Sequence, residues 1–477
     1  MNCAQIKNFL AKAAIGVCLL SILTTAARAQ TSATPDRSRL LNELQVLLLP
    51  TSGSQDVVVK LRVQSGAAFD LAGKAGTMAL LGDLLFPDPN TREYFTDEMQ
   101  GRLAVSTDYD SITITMQGRV GEFERIIEIL RNALVTTPLT PENVQKAREG
   151  RTKIIKDTTL LPGTIADRAI SARLFGDFPY GRPYGGTVES LERIERADVM
   201  LARERFLNPN NSILVIAGDL QPSRARRVLR QLLGTWRKSE SIVPATFKQP
   251  PLPDPRPLLI NAPSDQSVEV RLAVRGLSRS DPDAAAAGLL ASVARQRWEK
   301  QLPDIARSPV FVRADAFVLP GMFVMGATVE NLLAGKTLSA ARDVLRSLAS
   351  TPPTAAELDQ ARNEVVSAVN KDRSKPDGIA AAWLEIEGYK LLSIDDQMRA
   401  LIAVSSEDLR RVAVRLVDER GVASVVVGNS ELVKTQLEKI GKMEIMGEAP
   451  PTVETVPSTK PTPNAAKPQI HSPSKPD

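Results

Sequence analysis

The chain has 477 residues, of which 43% are hydrophobic and 24% charged, with a formal net charge of +5. That length supports two or more domains with a sizeable core, and the hydrophobic content is that of a soluble protein. The excess charge forms no basic stripe with interleaved aromatic residues, which argues against nucleic acid as a partner.

The chain opens on Lys7 and Lys12, followed by an uncharged apolar run from Ala13 to Ala27 and the small-residue step Ala27-Arg28-Ala29. This is the pattern of a secretory signal peptide, residues 1–29, cleaved after Ala29. The alternative is an uncleaved membrane anchor, for which a run of about fifteen residues is short against the roughly twenty a span needs. The expected address is the periplasm or another exported location. Removing Lys7, Lys12 and Arg28 lowers the formal charge to about +2. Both cysteines, Cys3 and Cys18, lie in this segment, so the mature chain has no disulfide, thiolate nucleophile or zinc-thiolate site.

Beyond it, a strand-like run, Val57 to Val63, leads through a glycine-containing turn to Gly76-Thr77-Met78-Ala79-Leu80-Leu81-Gly82-Asp83-Leu84-Leu85-Phe86, a predicted buried helix. A second strand-like run, Ile112 to Met116, precedes a helix over 121–134. Thr140-Pro141-Glu142 then opens a long helix, and Ser212 to Asp219 is a further strand. The same succession returns about 210 residues later. Val268 to Val274 corresponds to the first strand, and Phe323 to Val329 with a helix over 337–349 to the second pair. Thr354-Ala355-Ala356-Glu357 opens the second long helix, and Ala423 to Asn429 closes the series. Four matches in order at one offset indicate one unit written twice.

Because strands and helices do not strictly alternate, the expected fold class is α+β: two homologous domains, each a mostly antiparallel sheet with helices packed on it. The domains span 38–237 and 258–445. Between them residues 238–257, with Gln249-Pro250-Pro251-Leu252-Pro253, form a stiff Pro-rich linker. Residues 446–477 hold Pro, Thr, Ser and Lys with almost no large apolar side chain, a composition expected to stay disordered.

The stretch Gly76 to Phe86 resembles the zinc helix of the pitrilysin and mitochondrial-processing-peptidase metallopeptidases, whose pattern is Gly-x-x-His-x-x-Glu-His-x-Leu-Phe. Leu41 to Val46 is similar to the family's opening strand. Phe178-Pro179-Tyr180-Gly181, Gly186-Thr187-Val188 and Phe206-Leu207-Asn208-Pro209 are similar to other family segments, and the resemblance covers about residues 38–440. In the family the two His hold zinc and the Glu between them is the general base. Here those positions fall on Ala79, Gly82 and Asp83, and the third zinc ligand falls near Asp157. The resemblance also implies a substrate-gripping Arg at Arg297, while the accompanying Tyr is replaced near Val310 and Phe311. Arg297 reads equally well as a solvated residue of an Arg-rich helix.

The resemblance therefore implies a degenerate member with no catalytic residues, no metal and no cofactor. The sole histidine, His471, lies in the tail, so no other segment supplies imidazole, and Ser-His-Asp and Cys-His devices are excluded as well. The expected function is a noncatalytic subunit that pairs with an active homologue carrying the zinc, the heterodimer enclosing a chamber for a peptide substrate. Two alternatives stand beside it. One is a stand-alone peptide-binding or scaffold protein that works without a peptidase partner, as a homodimer. The other is a residual metallopeptidase using carboxylates at Asp83 and Asp157. Gly82, expensive in mid-helix, marks a close approach of neighbouring chain.

Overall fold

The computed structural model describes residues 34–240, 247–262, 267–302, 310–417 and 421–446. The signal-like segment, both cysteines, His471, part of the linker and the tail beyond Met446 lie outside the described residues. The first half contains strands β1 (Asp36–Arg39), β2 (Gln45–Pro50), β3 (Asp56–Val63), β4 (Arg102–Thr107), β5 (Ile112–Arg119) and β6 (Ser212–Gly218). Its helices are α1 (Thr77–Asp83), α2 (Pro89–Asp97), α3 (Phe123–Arg131), α4 (Pro141–Thr159), α5 (Pro162–Phe175), α6 (Val188–Glu192), α7 (Arg196–Phe206) and α8 (Pro222–Leu233). The second half contains β7 (Leu258–Asn261), β8 (Val268–Arg275), β9 (Phe311–Asp315), β10 (Met322–Val329), β11 (Ala423–Gly428) and β12 (Glu444–Met446). Its helices are α9 (Ala284–Gln301), α10 (Ala334–Ser350), α11 (Ala355–Arg373), α12 (Pro376–Tyr389), α13 (Ile394–Ala403), α14 (Ser406–Leu416) and α15 (Ser430–Glu438).

The strands form two six-stranded sheets, ordered β1-β2-β6-β3-β5-β4 and β12-β7-β11-β8-β10-β9. From the second to the sixth position the two orders correspond strand for strand. Both sheets are mostly antiparallel, with parallel pairs only where β2 meets β6 and where β7 meets β11 and β12. The outermost strand differs: β1 comes first in the chain and runs antiparallel to β2, whereas β12 comes last and runs parallel to β7. The expected opening strand at 41–46 shifts in the structure to Gln45–Pro50. Leu41 and Asn42 form a turn, held because the Asn42 amide donates to the carbonyls of Leu233 and Trp236.

Alternation along the central strands explains the layering. Val57, Val59, Leu61 and Val63 of β3 enter the main core of the first half, and Val268, Val270, Leu272 and Val274 of β8 enter that of the second. The alternate residues, Val58 and Lys60 of β3 and Arg271 and Ala273 of β8, are buried as well, so each sheet needs cover on both faces. The second face of each sheet is covered from the other half. Helix α12 packs Trp383, Leu384 and Ile386 on Leu47, Val58, Ile213 and Val215 of the first sheet. Helix α5 packs Ala166, Ile170 and Leu174 on Ala273, Val425 and Val427 of the second.

Each crossed helix also meets a buried cation on a central strand. Lys60 Nζ of β3 lies 3.0 Å from Asp377 Oδ1 of α12, and Arg271 Nε of β8 lies 2.7 Å from Asp167 Oδ1 of α5. Lys60 and Arg271 match under the repeat offset, so the exchange is reciprocal in charge as well as in apolar cover. A third tie is Asp110 in the β4–β5 turn. Its carboxylate accepts from Tyr180 Oη at 3.2 Å, from Tyr389 Oη at 2.9 Å and from the backbone N–H of Val318 at 2.8 Å. The end of the linker is likewise anchored, since Asp254 pairs with Arg256 and Arg173.

Replacing Trp383 with Ala opens a cavity at this crossing and is expected to cost about 3–5 kcal/mol. Because α12 covers the opposite half, denaturant unfolding of the variant should remain one transition reporting both halves. Two separated transitions, with the first sheet lost before the second, would rule out mutual cover.

Candidate functional site

The degenerate helix α1 is built from its N-terminus. Gly76 sits at φ 96°, a left-handed conformation that suits glycine, and a Cβ there would come within 3.0 Å of Gly186 Cα. The buried Asp70 carboxylate caps the helix, accepting from the N–H groups of Gly76 at 2.6 Å and Met78 at 2.8 Å. Burial pushes the Asp70 carboxyl up to about 7, against the pull of those N–H donors and of Arg182. Met78, Leu80, Leu81 and Leu84 then bury the helix in the core of the first half.

The positions expected to correspond to the family's catalytic set have these surroundings. Ala79 is 1% exposed and presents only a methyl group. Gly82 faces β4 and the start of β5: a Cβ there would lie 2.9 Å from Thr107 Oγ1 and 3.4 Å from Val105 Cγ1. The site of a would-be general base is thus filled by the sheet, which accounts for the mid-helix glycine. Asp83 is gripped by Arg151 of α4, with Nε 2.7 Å from Oδ2 and Nη2 2.8 Å from Oδ1. The same Nη2 donates to the Ala79 carbonyl at 3.3 Å. A bidentate guanidinium therefore joins α1 and α4 at Asp83.

Asp157 is not part of this arrangement. It is exposed, and lies six residues beyond Arg151, about 9 Å farther along α4 at the ordinary helical rise. The carboxylates of Asp83 and Asp157 are not brought together, which removes the geometric basis for a two-carboxylate metal site. Among the described residues no group of three His, Cys, Asp or Glu side chains could hold a metal ion. With Arg151 in contact with Asp83, and methyl and hydrogen at Ala79 and Gly82, the residues present do not fit zinc.

Arg297 takes a structural place. Its Nε and Nη2 bind Glu357 at 2.9 and 3.0 Å, and its Nη1 donates to the carbonyls of Ser347 and Thr351. Both partners of this ion pair are largely buried. The guanidinium is spent on clamping α9 to the end of α10 and the start of α11, so the substrate-gripping role implied by resemblance is not what the geometry supports. The Arg297 guanidinium holds Glu357 down to about 2. Val310, near the lost Tyr position, is buried, and Phe311 is stacked under Arg271 and Arg313.

Sequence reasoning missed Arg151. Its signal was available in the second half, where Arg295 of α9 binds Glu364 of α11 at 2.7 Å. Helices α1 and α4 correspond to α9 and α11 under the repeat, and Arg295 and Glu364 each lie one residue from the positions that match Asp83 and Arg151. The same helix pair is bridged in both halves with the charges reversed.

Residues 193–365 match the family described as Peptidase M16 inactive domain. The chain is 22% identical over 318 residues to an uncharacterized zinc protease of Streptomyces coelicolor, covering 63% of this chain and 68% of that protein. It is also 22% identical to an uncharacterized zinc protease of Mycobacterium leprae, over 44% of this chain and 48% of that one. A peptidase M16 inactive domain from Pseudomonas fluorescens has the same fold, with TM-score 0.75 and 17% identity, covering 83% of this chain and 98% of its own. A protease from Helicobacter pylori superposes with TM-score 0.77 and 15% identity over 83% of this chain and 99% of its own. The chain therefore shares the two-domain α+β fold of these structures. The match over residues 193–365 agrees with the resemblance to pitrilysin and the processing peptidases, while Ala79, Gly82 and Asp83 of α1 supply no zinc ligand set.

Two outcomes test this site. Asp83→Ala strands Arg151 beside a buried helix and should destabilise the first half by about 3 kcal/mol, whereas Asp83→Ala with Arg151→Leu should recover most of the loss. Equal loss in the single and double variants by chemical denaturation would contradict the pairing. Asp70 titrates near 3.8 when unfolded and near 7 when folded, so the native state holds the extra proton between these values. Stability from this group is complete below about pH 4 and is lost as pH rises through about 7, on the order of 3–4 kcal/mol. The stability of wild type relative to the non-titrating Asp70→Asn should therefore fall as pH rises from 4.5 to about 7. A gap independent of pH would refute the shift.

Proposed function

We propose that the chain is a noncatalytic subunit of an exported peptidase-like assembly. In this reading it pairs with an active homologue that carries the zinc, and supplies one wall of a peptide chamber. The single observation that carries the proposal is the Arg151–Asp83 pair in a helix whose other two key positions are Ala79 and Gly82. The fold is peptidase-like, but the site has a cation bound to a carboxylate where hydrolysis needs a metal-bound water and a base. Two similar proteins are described as zinc proteases, which fits descent from an enzyme. Another chain of this fold belongs to a structure of complex III2 from Candida albicans, with TM-score 0.69 and 14% identity, covering 85% of this chain. That likeness supports a part in an assembly. The signal-like start supports export, and no helix among the described residues is long and apolar enough to cross a membrane.

The stand-alone scaffold reading shares the same site and differs only in the partner. Purification of the tagged chain from its native host separates the two. The expected result is a co-purifying homologue with an intact His-x-x-Glu-His, and no stoichiometric zinc in the isolated chain by metal analysis. Stoichiometric zinc with chelator-sensitive peptide cleavage by the chain alone would overturn the proposal. Recovery without such a homologue would leave the scaffold reading in its place.

A further inference from the structure

The second half contains a cavity of about 520 Å³ between α9, α11 and α13, closed at one end by the turn joining α12 to α13. Its size falls within the roughly 300–1,000 Å³ of small-molecule sites. The floor is made of the smallest side chains of α9, at Ala284, Ala285 and Gly288. A Cβ built on Gly288 meets nothing within 4 Å, so the void extends to the helix backbone. Val369 of α11 and Met398 and Leu401 of α13 form apolar walls. A closed core would fill such a space, since interiors pack at crystal-like density.

The charged residues of the lining are Arg279, Asp281, Arg373 and Lys390. Arg279 is paired with Glu385, and the neighbouring Asp281 with Arg415. Arg373 differs. It is half-buried, and its only hydrogen bond among the described residues is to the neutral Gln397 amide, at 3.3 Å. Burial weighs most on it, Glu385 and Asp395 attract it, and Arg279 repels it. A guanidinium in this setting matches a carboxylate in shape and charge. With Glu385 bound to Arg279 and Asp281 bound to Arg415, the charge of Arg373 beside Lys390 suits an anionic group.

We propose that the cavity binds a medium-chain fatty acid, its carboxylate on Arg373 beside Lys390 and its hydrocarbon chain over Gly288. The hydrocarbon body follows from the walls. Apart from Ser280, Gln397 and the charged residues, they are Gly, Ala, Pro, Val, Met and Leu, whose side chains provide no partners for the N–H and C=O groups of a peptide. The inference does not depend on the peptide-chamber reading.

Decanoate binding to the full mature chain, measured by calorimetry, tests it. Saturable one-to-one binding is expected. Loss of one charge-assisted contact should weaken it by about ten- to a hundredfold in Arg373→Gln, and decanol should bind weaker than decanoate by a similar factor. Gly288→Leu should abolish binding while leaving the ligand-free melting temperature unchanged or raised, because it fills the void and improves helix propensity. Equal binding of decanol and decanoate, undiminished binding in folded Gly288→Leu, or no saturable decanoate binding would overturn the assignment. Tighter binding of an acetylated peptide with a C-terminal leucine carboxylate would also overturn it, by making the ligand a peptide.

Discussion

The structure depends on a crossed pair of helices. Each half builds a sheet whose central strand is apolar on one face and mixed on the other, and neither half supplies enough of its own cover for that second face. Helix α12 closes the first sheet and α5 closes the second. The buried cations make the crossing specific. Lys60 needs Asp377, and Arg271 needs Asp167, and each acid comes from the opposite half. Apolar cover alone would tolerate sliding, whereas a buried ammonium or guanidinium without its carboxylate is costly enough to define the register. Asp110, bound by Tyr180 from one half and by Tyr389 and Val318 from the other, pins the same junction.

That rigid junction gives the degenerate site its meaning. Helix α1, with no zinc ligand set, is capped by Asp70, packed against β4 at Gly82 and bolted to α4 by Arg151. An ion pair bridges these two helices. In the second half the same bridge is Arg295 to Glu364, with charge reversed. An ion pair across two helices needs opposite signs but not a particular order, so the two halves satisfy one packing constraint in mirror-image ways. The cavity at α9, α11 and α13 lies beside this second bridge, where small residues on α9 leave open a space that side chains fill elsewhere.

The predicted elements were legible because they rest on local rules. Alternation placed β3, β5, β8 and β10, and Thr-Pro and Thr-x-x-Glu starts marked α4 and α11, whose N-caps are Thr140 and Thr354. The gap in the zinc helix was equally plain, since it concerns which side chains exist. The opening strand was displaced by a few residues because the turn at Leu41 and Asn42 is held by carbonyls nearly two hundred residues away. Asp157 and Arg297 were placed by counting along a likeness, and counting does not report which way a side chain turns or what it meets.

The sequence by itself determined the α+β class, the repeated succession of elements and the absence of His and Glu at Ala79, Gly82 and Asp83, because hydrophobic period, capping residues and ligand chemistry are properties of short segments. Only the tertiary structure decided that Arg151 binds Asp83, that Arg297 is committed to Glu357, and that each sheet is closed by the other half's helix. Those facts are contacts between residues far apart in the chain. They are selected by the joint requirement that every buried charge find its partner and every apolar face its cover, which no single segment can express.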